Sequence, residues 1–221
     1  MLIVAKNALS HGAYAQLQPR LMVEESQEKK LDIKAELKLG TYQRQISKDD
    51  IISELKNAGL LGRGGAGFCA STKWQAVADS QSVHRVVVAN GSEGEPASAK
   101  DRWLMCHRPH LVLDGLLLAA QALNATRTIV YVSDPQAIES MKGAISELAT
   151  ADLNLTTSIE VFTAPAIYVA GEETAVCRAI NGGLVKPTAK PPRPFQKGVD
   201  GAPTLVSNVE TLAHAAWISR H

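Results

Sequence analysis

The chain of 221 residues lacks the features that define several common protein classes. It has only three cysteines, Cys69, Cys106 and Cys177, which are odd in number and far apart in the sequence. This pattern argues against a disulfide scaffold and against a Cys-x-x-Cys metal or cluster site. We therefore expect free thiols.

The chain also has no excess of charge of one sign and no long apolar run. The net charge is +1 and the lysines and arginines are dispersed, which argues against the basic surface of a nucleic-acid-binding protein. No apolar run approaches the roughly 18 residues needed to span a bilayer, and residues 1–6 are too short for a signal peptide. We therefore expect a cytoplasmic protein that does not insert directly into a membrane.

The composition that remains is that of a globular protein, since 45% of the residues are hydrophobic. Short β-branched or apolar runs predict strands at residues 84–90, 127–133 and 158–163. Helices are predicted at residues 50–58, from residue 71, and at residues 114–123 and 135–148. Strands separated by crossovers of a dozen or more residues form parallel sheets, so the predicted fold class is α/β.

A glycine-rich loop is the most informative local feature. The loop and two residues that follow it supply the candidates Gly62, Arg63, Gly64, Gly65, Gly67, Phe68 and Lys73. Glycine accepts positive φ and has no Cβ, so such a loop can approach a phosphate or a flat ring closely. It is neither a dinucleotide fingerprint nor a Walker loop, because no apolar strand precedes it and no Gly-Lys-Ser/Thr closes it. A flexible surface turn is the alternative.

Two acidic pairs are further candidates. Glu93 and Glu95 lie two residues apart beyond the first predicted strand, where an extended loop would turn both towards ligand hydroxyls or a carboxamide. The alternative is a pair of solvated turn acids. Glu172 and Glu173 follow Gly171 in the first turn of a predicted helix, where helix capping is the simpler explanation.

Other clusters favour structural roles. Cys106, His107 and His110 lack a fourth ligand, so no metal site is predicted. Lys100-Asp101-Arg102 is interpreted as a salt-bridge cluster that braces the loop before it. Trp103, Trp217 and His214 are interpreted as packing or surface residues.

Several motifs occur in the same order and with similar gaps in one known family. They are Gly59-Leu-Leu-Gly-Arg-Gly-Gly-Ala-Gly-Phe68, Lys73-Trp74, residues 90–96, Lys100-Asp101-Arg102, residues 168–175 and Asn208-Val-Glu-Thr211. Through these motifs, between about residues 40 and 212, the chain resembles the FMN-bearing, NADH-oxidising 51 kDa (F) subunit of respiratory complex I. It is similar in the same way to the diaphorase subunits of NAD-linked hydrogenases and formate dehydrogenases.

The resemblance implies a Rossmann-like flavoprotein domain that passes hydride from NADH or NADPH to FMN. Because the hydride moves between two stacked rings, the protein is expected to position the rings and to tune the electrostatic potential around them. Glu95 falls on the position that faces the nicotinamide and is the candidate catalytic residue. The implied cofactor-binding residues are Gly62, Arg63, Gly64, Gly65, Gly67, Phe68, Lys73, Asn90, Ser92, Glu93, Tyr168, Gly171, Glu172, Glu173, Lys190, Ser207 and Asn208.

The chain departs from the family pattern at four of these or neighbouring positions. Ala76 and Arg193 stand where relatives commonly place two rings that sandwich the adenine, which leaves Phe68 alone. Arg193, with Lys190 nearby, could stack on the base or pair with a 2′-phosphate, or belong to a solvated basic turn. Ser92 replaces a usual aspartate and Ser207 a usual asparagine. The choice between NADH and NADPH stays open.

The family continues into a domain that binds an iron–sulfur cluster, and the three cysteines here fall on none of its ligand positions. We therefore expect no cluster in this chain. Either the sequence is a fragment, or a separate iron–sulfur or ferredoxin-like subunit accepts the electrons. We predict an N-terminal arm over residues 1–40 and an FMN- and NAD(P)H-binding domain over residues 41–221. The alternative function is a non-catalytic scaffold subunit of a redox complex.

Overall fold

The computed structural model describes residues 20–95, 97–151, 153 and 158–221. Residues 1–19, which are just under half of the predicted arm and include residues 1–6, lie outside the described residues, as does Pro96. Among the described residues, none of the helices is both long and apolar enough to cross a membrane.

A sheet of four parallel strands forms the centre of the fold. The strands are β1 (Val86–Gly91), β2 (Arg127–Val132), β3 (Ile159–Thr163) and β4 (Thr204–Asn208), in the spatial order β3-β2-β1-β4. Val86 pairs with Arg127 on one side and with Thr204 on the other. The prediction of an α/β fold with a parallel sheet is confirmed.

Nine α-helices surround the sheet in the part of the chain that is described. They are α1 (Glu25–Glu28), α2 (Ile33–Lys38), α3 (Ile51–Asn57), α4 (Ala70–Ala78), α5 (Lys100–His107), α6 (Pro109–Leu123), α7 (Pro135–Thr150), α8 (Glu173–Ile180) and α9 (Val209–Ile218). Helix α6 begins five residues before the predicted start at residue 114, because Pro109 occupies its first turn, where a missing N–H costs nothing.

Each face of the sheet has its own apolar core. Val87 and Ala89 of β1 and Leu205 of β4 face a large core with α3 to α7 and α9. Val88 and the other alternate residues face a smaller core that α8 covers through Val176. Strands β1 and β2 are buried on both faces and nearly continuously apolar, which is why they could be recognised in the sequence. The edge strand β3 is only partly buried and was recognised from its β-branched and aromatic residues.

The helices α6 and α9 cross at Gly115, which permits their close approach. A Cβ at this position would lie 2.1 Å from the carbonyl oxygen of Leu212, far inside a normal contact. Glycine is therefore required here for packing. The crossing fixes α9, whose first residue follows directly from β4.

The described part of the predicted arm packs against the helical layer. The N–H of Leu31 donates to the carbonyl of His107 at 2.9 Å, and Leu31 is buried. Glu36 is completely buried and forms an ion pair with Arg108. The boundary at residue 40 stays a prediction, while residues 20–40 are joined to the rest of the protein by buried contacts.

Candidate functional site

A cleft of ≈ 460 Å³ opens at the carboxyl ends of β1 and β4. Within the sheet, β2 lies on one side of β1 and β4 lies on the other side. The carboxyl ends of β1 and β4 therefore form a topological switch point. Parallel α/β sheets bind ligands at such points, because the loops on either side diverge and leave a crevice. The cleft volume lies within the roughly 300–1,000 Å³ typical of small-molecule sites.

The cleft brings together twelve of the residues that the sequence indicates for cofactor binding. They are Gly62, Gly64, Gly67, Phe68, Lys73, Asn90, Gly171, Glu172, Glu173, Lys190, Ser207 and Asn208. The other six candidates, which are absent from its lining, are Arg63, Gly65, Ser92, Glu93, Glu95 and Tyr168. The twelve lining residues come from distant parts of the sequence, so it is the fold that brings them together.

The glycine-rich loop is closed by its own backbone. The N–H of Gly62 donates to the carbonyl of Phe68 at 2.8 Å, and Gly67 has a φ of +61°. The Thr211 hydroxyl, at the start of α9, accepts the N–H of Arg63 at 2.8 Å. This hydrogen bond occupies the Arg63 amide and ties the loop to the helix after β4. The loop is therefore closed at its base and tied to α9 through Arg63.

Two asparagines at the strand ends form the inner wall. Asn90 donates through its amide to the carbonyl of Gly171 at 2.9 Å, which joins β1 to the segment before α8. Asn208 caps α9, since its amide oxygen accepts the N–H of Glu210 at 3.0 Å. Its amide nitrogen donates to Asp101 at 2.6 Å. Both side chains are thus held in one orientation beside the cleft.

A chain of alternating charges crosses the cleft, and we call it the cleft ion chain: Lys73, Glu173, Lys190 and Glu172. The Lys73 amine lies 2.9 Å from one oxygen of Glu173, and Lys190 lies 3.0 Å from the other oxygen and 2.8 Å from Glu172. Burial would raise the pKa of Glu173, but the two lysines outweigh it and lower the pKa. The positive charge predicted beside the glycine loop is therefore matched by a carboxylate.

Glu172 has a structural role as well. Its second carboxylate oxygen accepts the N–H groups of Thr174 and Ala175 at 2.8 and 3.0 Å, so Glu172 is the N-cap of α8. The helix-capping interpretation of this glutamate is confirmed. The predicted helix starts two residues after Gly171, because residues Tyr168–Gly171 form a short 3₁₀ turn.

The two carboxylates of the loop after β1 engage different partners. Glu93 accepts the N–H groups of Asp101 and Arg102, each at 3.2 Å, and so caps the start of α5. Glu95 is exposed and accepts the hydroxyl of Tyr168 at 3.0 Å. This hydrogen bond raises the pKa of Tyr168. The predicted contacts of Glu93 with flavin and of Glu95 with nicotinamide stay predictions.

Close backbone contact explains two glycines between these elements. A Cβ at Gly94 would lie 2.6 Å from the carbonyl oxygen of Tyr168, and a Cβ at Gly171 would lie 2.8 Å from that of Ser92. The loop after β1 and the 3₁₀ turn before α8 therefore touch backbone to backbone. Any larger residue would push these two walls of the site apart.

The interpretation of Lys100-Asp101-Arg102 as a brace is confirmed. Lys100 lies 2.6 Å from Asp101 and 3.0 Å from Glu210, while backbone N–H groups of the same segment hold Glu93. Within the described residues, no group of three or more histidine, cysteine, aspartate or glutamate side chains is arranged to hold a metal ion.

Several lining residues were not identified from the sequence. Phe195, Val206 and Thr211 line the cleft, and Trp74 does so from a buried position. Thr211 stood within a recognised motif, so its hydroxyl could have been named. Val206 could not be named, because the sequence pattern does not predict β4. The five residues of this strand end in Ser207 and Asn208 and follow a loop rich in proline and glycine.

The lining fits a flat, polar and phosphorylated group such as FMN. Gly64 leaves a gap beside β4, since a Cβ there would lie 3.5 Å from that of Asn208 and a longer side chain would enter the cleft. Amides and hydroxyls of the inner wall match the hydrogen-bonding edge of a flavin and its ribityl chain. The buried indole N–H of Trp74 also has no hydrogen-bond partner among the described residues.

Comparison with known proteins agrees with this geometry. A family model described as the Nuo51 FMN-binding domain matches residues 55–217. The F subunit of the NADH-quinone oxidoreductase of Salmonella typhimurium is 38% identical over 184 residues, which are 78% of this chain and 41% of that protein. The mitochondrial NADH-ubiquinone oxidoreductase 51 kDa subunit of Neurospora crassa is 35% identical over 208 residues, 86% of this chain and 42% of that protein.

A similar solved structure is that of an NAD+-reducing NiFe hydrogenase in the H2-reduced state. It matches with a TM-score of 0.74 and 32% identity, over 91% of this chain and 35% of that chain. The chain thus spans less than half the length of each of these relatives. By its family match, its relatives and its fold, the chain belongs to the family of FMN-binding domains of the complex I 51 kDa subunit.

Proposed function

We propose that the chain binds FMN in the cleft between β1 and β4 and serves as an NAD(P)H-oxidising, diaphorase-type electron-transfer module. The observation that carries the proposal is the convergence of the glycine-rich loop, the cleft ion chain and the two asparagines on one cleft. Membership of the family and the names of the relatives support it. FMN, when bound, supplies a ring that takes two electrons from a nicotinamide and can release them singly.

The flavin half of the cleft is assigned to the inner wall. Gly62 and Gly64 offer backbone that no side chain covers, and Lys73 can donate hydrogen bonds from an ammonium group whose charge Glu173 balances. Asn90 and Ser207 face the ring and its ribityl chain, while Asn208 completes the phosphate end. The hydrogen bonds that fix both asparagines before any ligand arrives keep the site preorganised.

The nicotinamide nucleotide is assigned to the outer part of the cleft. Phe68 is exposed and offers a face for stacking, and Glu172 and Glu173 can accept hydrogen bonds from sugar hydroxyls. Glu95 and Tyr168, which are hydrogen-bonded to each other, would orient the nicotinamide. None of these groups has to exchange a proton with the substrate, so their contribution is positioning.

The electron acceptor is proposed to be a separate iron–sulfur or ferredoxin-like partner. The relatives are themselves named as subunits, which supports a multi-subunit setting. A cytoplasmic location is part of the proposal and is supported by three free cysteines, which suit a reducing compartment.

An anaerobic visible spectrum of the FMN-reconstituted chain tests the function. Titration with NADH and then NADPH should bleach the flavin band, and the more effective nucleotide is the donor. If the chain retains the flavin but neither nucleotide reduces it, the proposed oxidoreductase activity is refuted. Failure to retain any flavin, together with a stable complex with a partner, would favour the scaffold alternative, which the replacement of stacking rings by Ala76 and Arg193 motivates.

The position of the flavin site is tested by Gly64→Val. The new side chain would enter the gap between the loop and Asn208, so flavin content after reconstitution should fall by at least about tenfold. Cys106→Ser, which changes a half-buried thiol of α5 outside the cleft lining, is the matched control and should retain FMN. Equal flavin content in wild type and Gly64→Val would place the site elsewhere.

A further inference from the structure

Three cations line the cleft, and only one of them is left without a carboxylate among the residues that the structure describes. Lys73 and Lys190 both belong to the cleft ion chain, where Glu172 and Glu173 neutralise them. Arg193 also lines the cleft, but its guanidinium makes no hydrogen bond or ion pair with any described residue. Among the described residues, Arg193 therefore carries the positive charge of the lining that no carboxylate balances.

The backbone of Arg193 is held firmly although its side chain is free of partners in the described part of the chain. Its N–H donates to the side chain of Gln196 at 2.9 Å, and its carbonyl accepts the N–H groups of Gln196 and Lys197 at 2.8 and 3.0 Å. Pro194, which follows it, is buried, and its carbonyl accepts the N–H of Thr204 at the start of β4. The Cα of Arg193 is thus fixed to the sheet, so binding through its side chain has less entropy to lose.

The same cleft offers a face for a flat ring. Phe68 is 54% exposed, a high value for a phenylalanine, and Ala76, whose side chain is small, lines the same cleft. A stacking face and an unneutralised guanidinium in one cleft are what a purine nucleotide with a phosphate near its base requires. Between the lysines, the carboxylates of the cleft ion chain suit sugar hydroxyls better than a second anion.

We propose that Arg193 binds the 2′-phosphate of an adenine dinucleotide and gives the cleft a preference for NADPH over NADH. This inference rests on the proposed function, because it assigns the nucleotide to the same cleft. The 2′-phosphate is joined to C2′, the neighbour of the ribose carbon that bears the base, so a base stacked on Phe68 would keep it within the cleft that Arg193 also lines. The planar guanidinium can donate two parallel hydrogen bonds to it.

The test measures binding of two small probes by calorimetry, at fixed low ionic strength. 5′-AMP and 2′,5′-ADP share the base, ribose and 5′-phosphate and differ only in the 2′-phosphate. Wild type should bind 2′,5′-ADP roughly tenfold more tightly than 5′-AMP, as expected for charge-assisted hydrogen bonds at a partly exposed site. In Arg193→Ala this ratio should fall to about one, and Arg193→Lys should retain part of it, since it keeps the charge but loses the fork.

Arg178→Ala is the charge-matched control, because Arg178 lies on α8 outside the cleft lining and its loss should leave the ratio unchanged. If wild type binds both probes equally, or if Arg193→Ala weakens both to the same degree, the assignment of the 2′-phosphate is wrong. Retention of FMN by each variant is measured in parallel. A chain that binds FMN without discriminating the probes would overturn this inference alone, whereas a chain without FMN would overturn the proposed function.

Discussion

The protein contains two clusters of charged residues that differ in their exposure to water. In the cleft ion chain, Glu173 is 22% exposed and Lys190 is 33% exposed. Around the start of α6, by contrast, Glu36 and Asp114 are completely buried. We call this second cluster the buried charge network: Glu36, Arg108, Asp114, Arg44 and Arg220.

The difference lies in what surrounds each charge. Arg108 donates to both oxygens of Glu36 and to the carbonyl of Leu21, while Asp114 accepts from Arg44 at 3.1 Å and from the N–H of Tyr42 at 3.0 Å. A charge buried in this way is costly unless it is paired. The cleft ion chain remains in contact with water, so its pairs can be exchanged for ligand contacts at small cost. Burial thus separates charges that hold the fold from charges that can serve a ligand.

The largest expected effect is a loss of stability on breaking the buried pair. Glu36→Gln would leave the Arg108 charge buried without a carboxylate, so the free energy of unfolding should fall by about 3–5 kcal/mol. Urea unfolding followed by circular dichroism measures it. Glu139→Gln is the control, since Glu139 forms only an exposed pair with Lys142 at 3.8 Å. A loss no greater than that of the control would mean that the buried network does not hold the arm in place.

A smaller effect is expected in the cleft. Glu173→Gln removes one carboxylate from between Lys73 and Lys190, but the site is open to water, so the free energy of unfolding should change by less than about 1 kcal/mol. Because the pKa of Glu173 is lowered in the folded state, its stabilisation is present above the unfolded value of 4.5 and is lost as the pH falls through the folded pKa. The difference between wild type and variant should therefore vanish in acid. A loss as large as that of Glu36→Gln would contradict the proposed contrast.

The third prediction concerns the pH response beside the buried network. The imidazole of His110 is completely buried between the Tyr42 hydroxyl and Glu147, each at 3.0 Å. Burial lowers the pKa of His110 in spite of Glu147. As the pH falls below the unfolded value of 6.5, the unfolded chain takes up a proton that the folded chain resists, and the free energy of unfolding should decrease.

In His110→Gln, that decrease between pH 7 and about pH 5 should be smaller than in wild type. Urea unfolding at a series of pH values measures the slope. His84→Gln, at an exposed position, is the control and should keep the slope of wild type. An unchanged slope in His110→Gln would show that another group is responsible.

How much of this could be predicted depends on the distance between the residues involved. The strands β1 to β3 and the cap formed by Glu172 were predictable, because a run of apolar residues and an acid before a helix are local patterns. The glycine-rich loop was found for the same reason. The ion pair of Lys73 with Glu173, and that of Arg44 with Asp114, were not, since their partners lie far apart in the sequence and only the folded chain brings them together.

The strand β4 was missed because local pattern is weak there. Its burial comes from pairing with β1 and from Leu205 and Val206, which enter opposite cores. The available guanidinium of Arg193 was equally unpredictable: the residue stands out in the sequence, but only the structure distinguishes it from Lys190, which is paired.

The position of β4 in the chain has a consequence for how the protein is made. Val86 of β1 and Thr204 of β4 pair although most of the domain separates them in sequence, and contacts of that kind form slowly. During synthesis, the glycine-rich loop and Lys73 leave the ribosome long before Ser207 and Asn208. The cleft therefore has no inner wall until β4 has emerged and docked. Capture of the flavin belongs to the end of folding, where it stabilises a finished domain by mass action and does not guide its earlier steps.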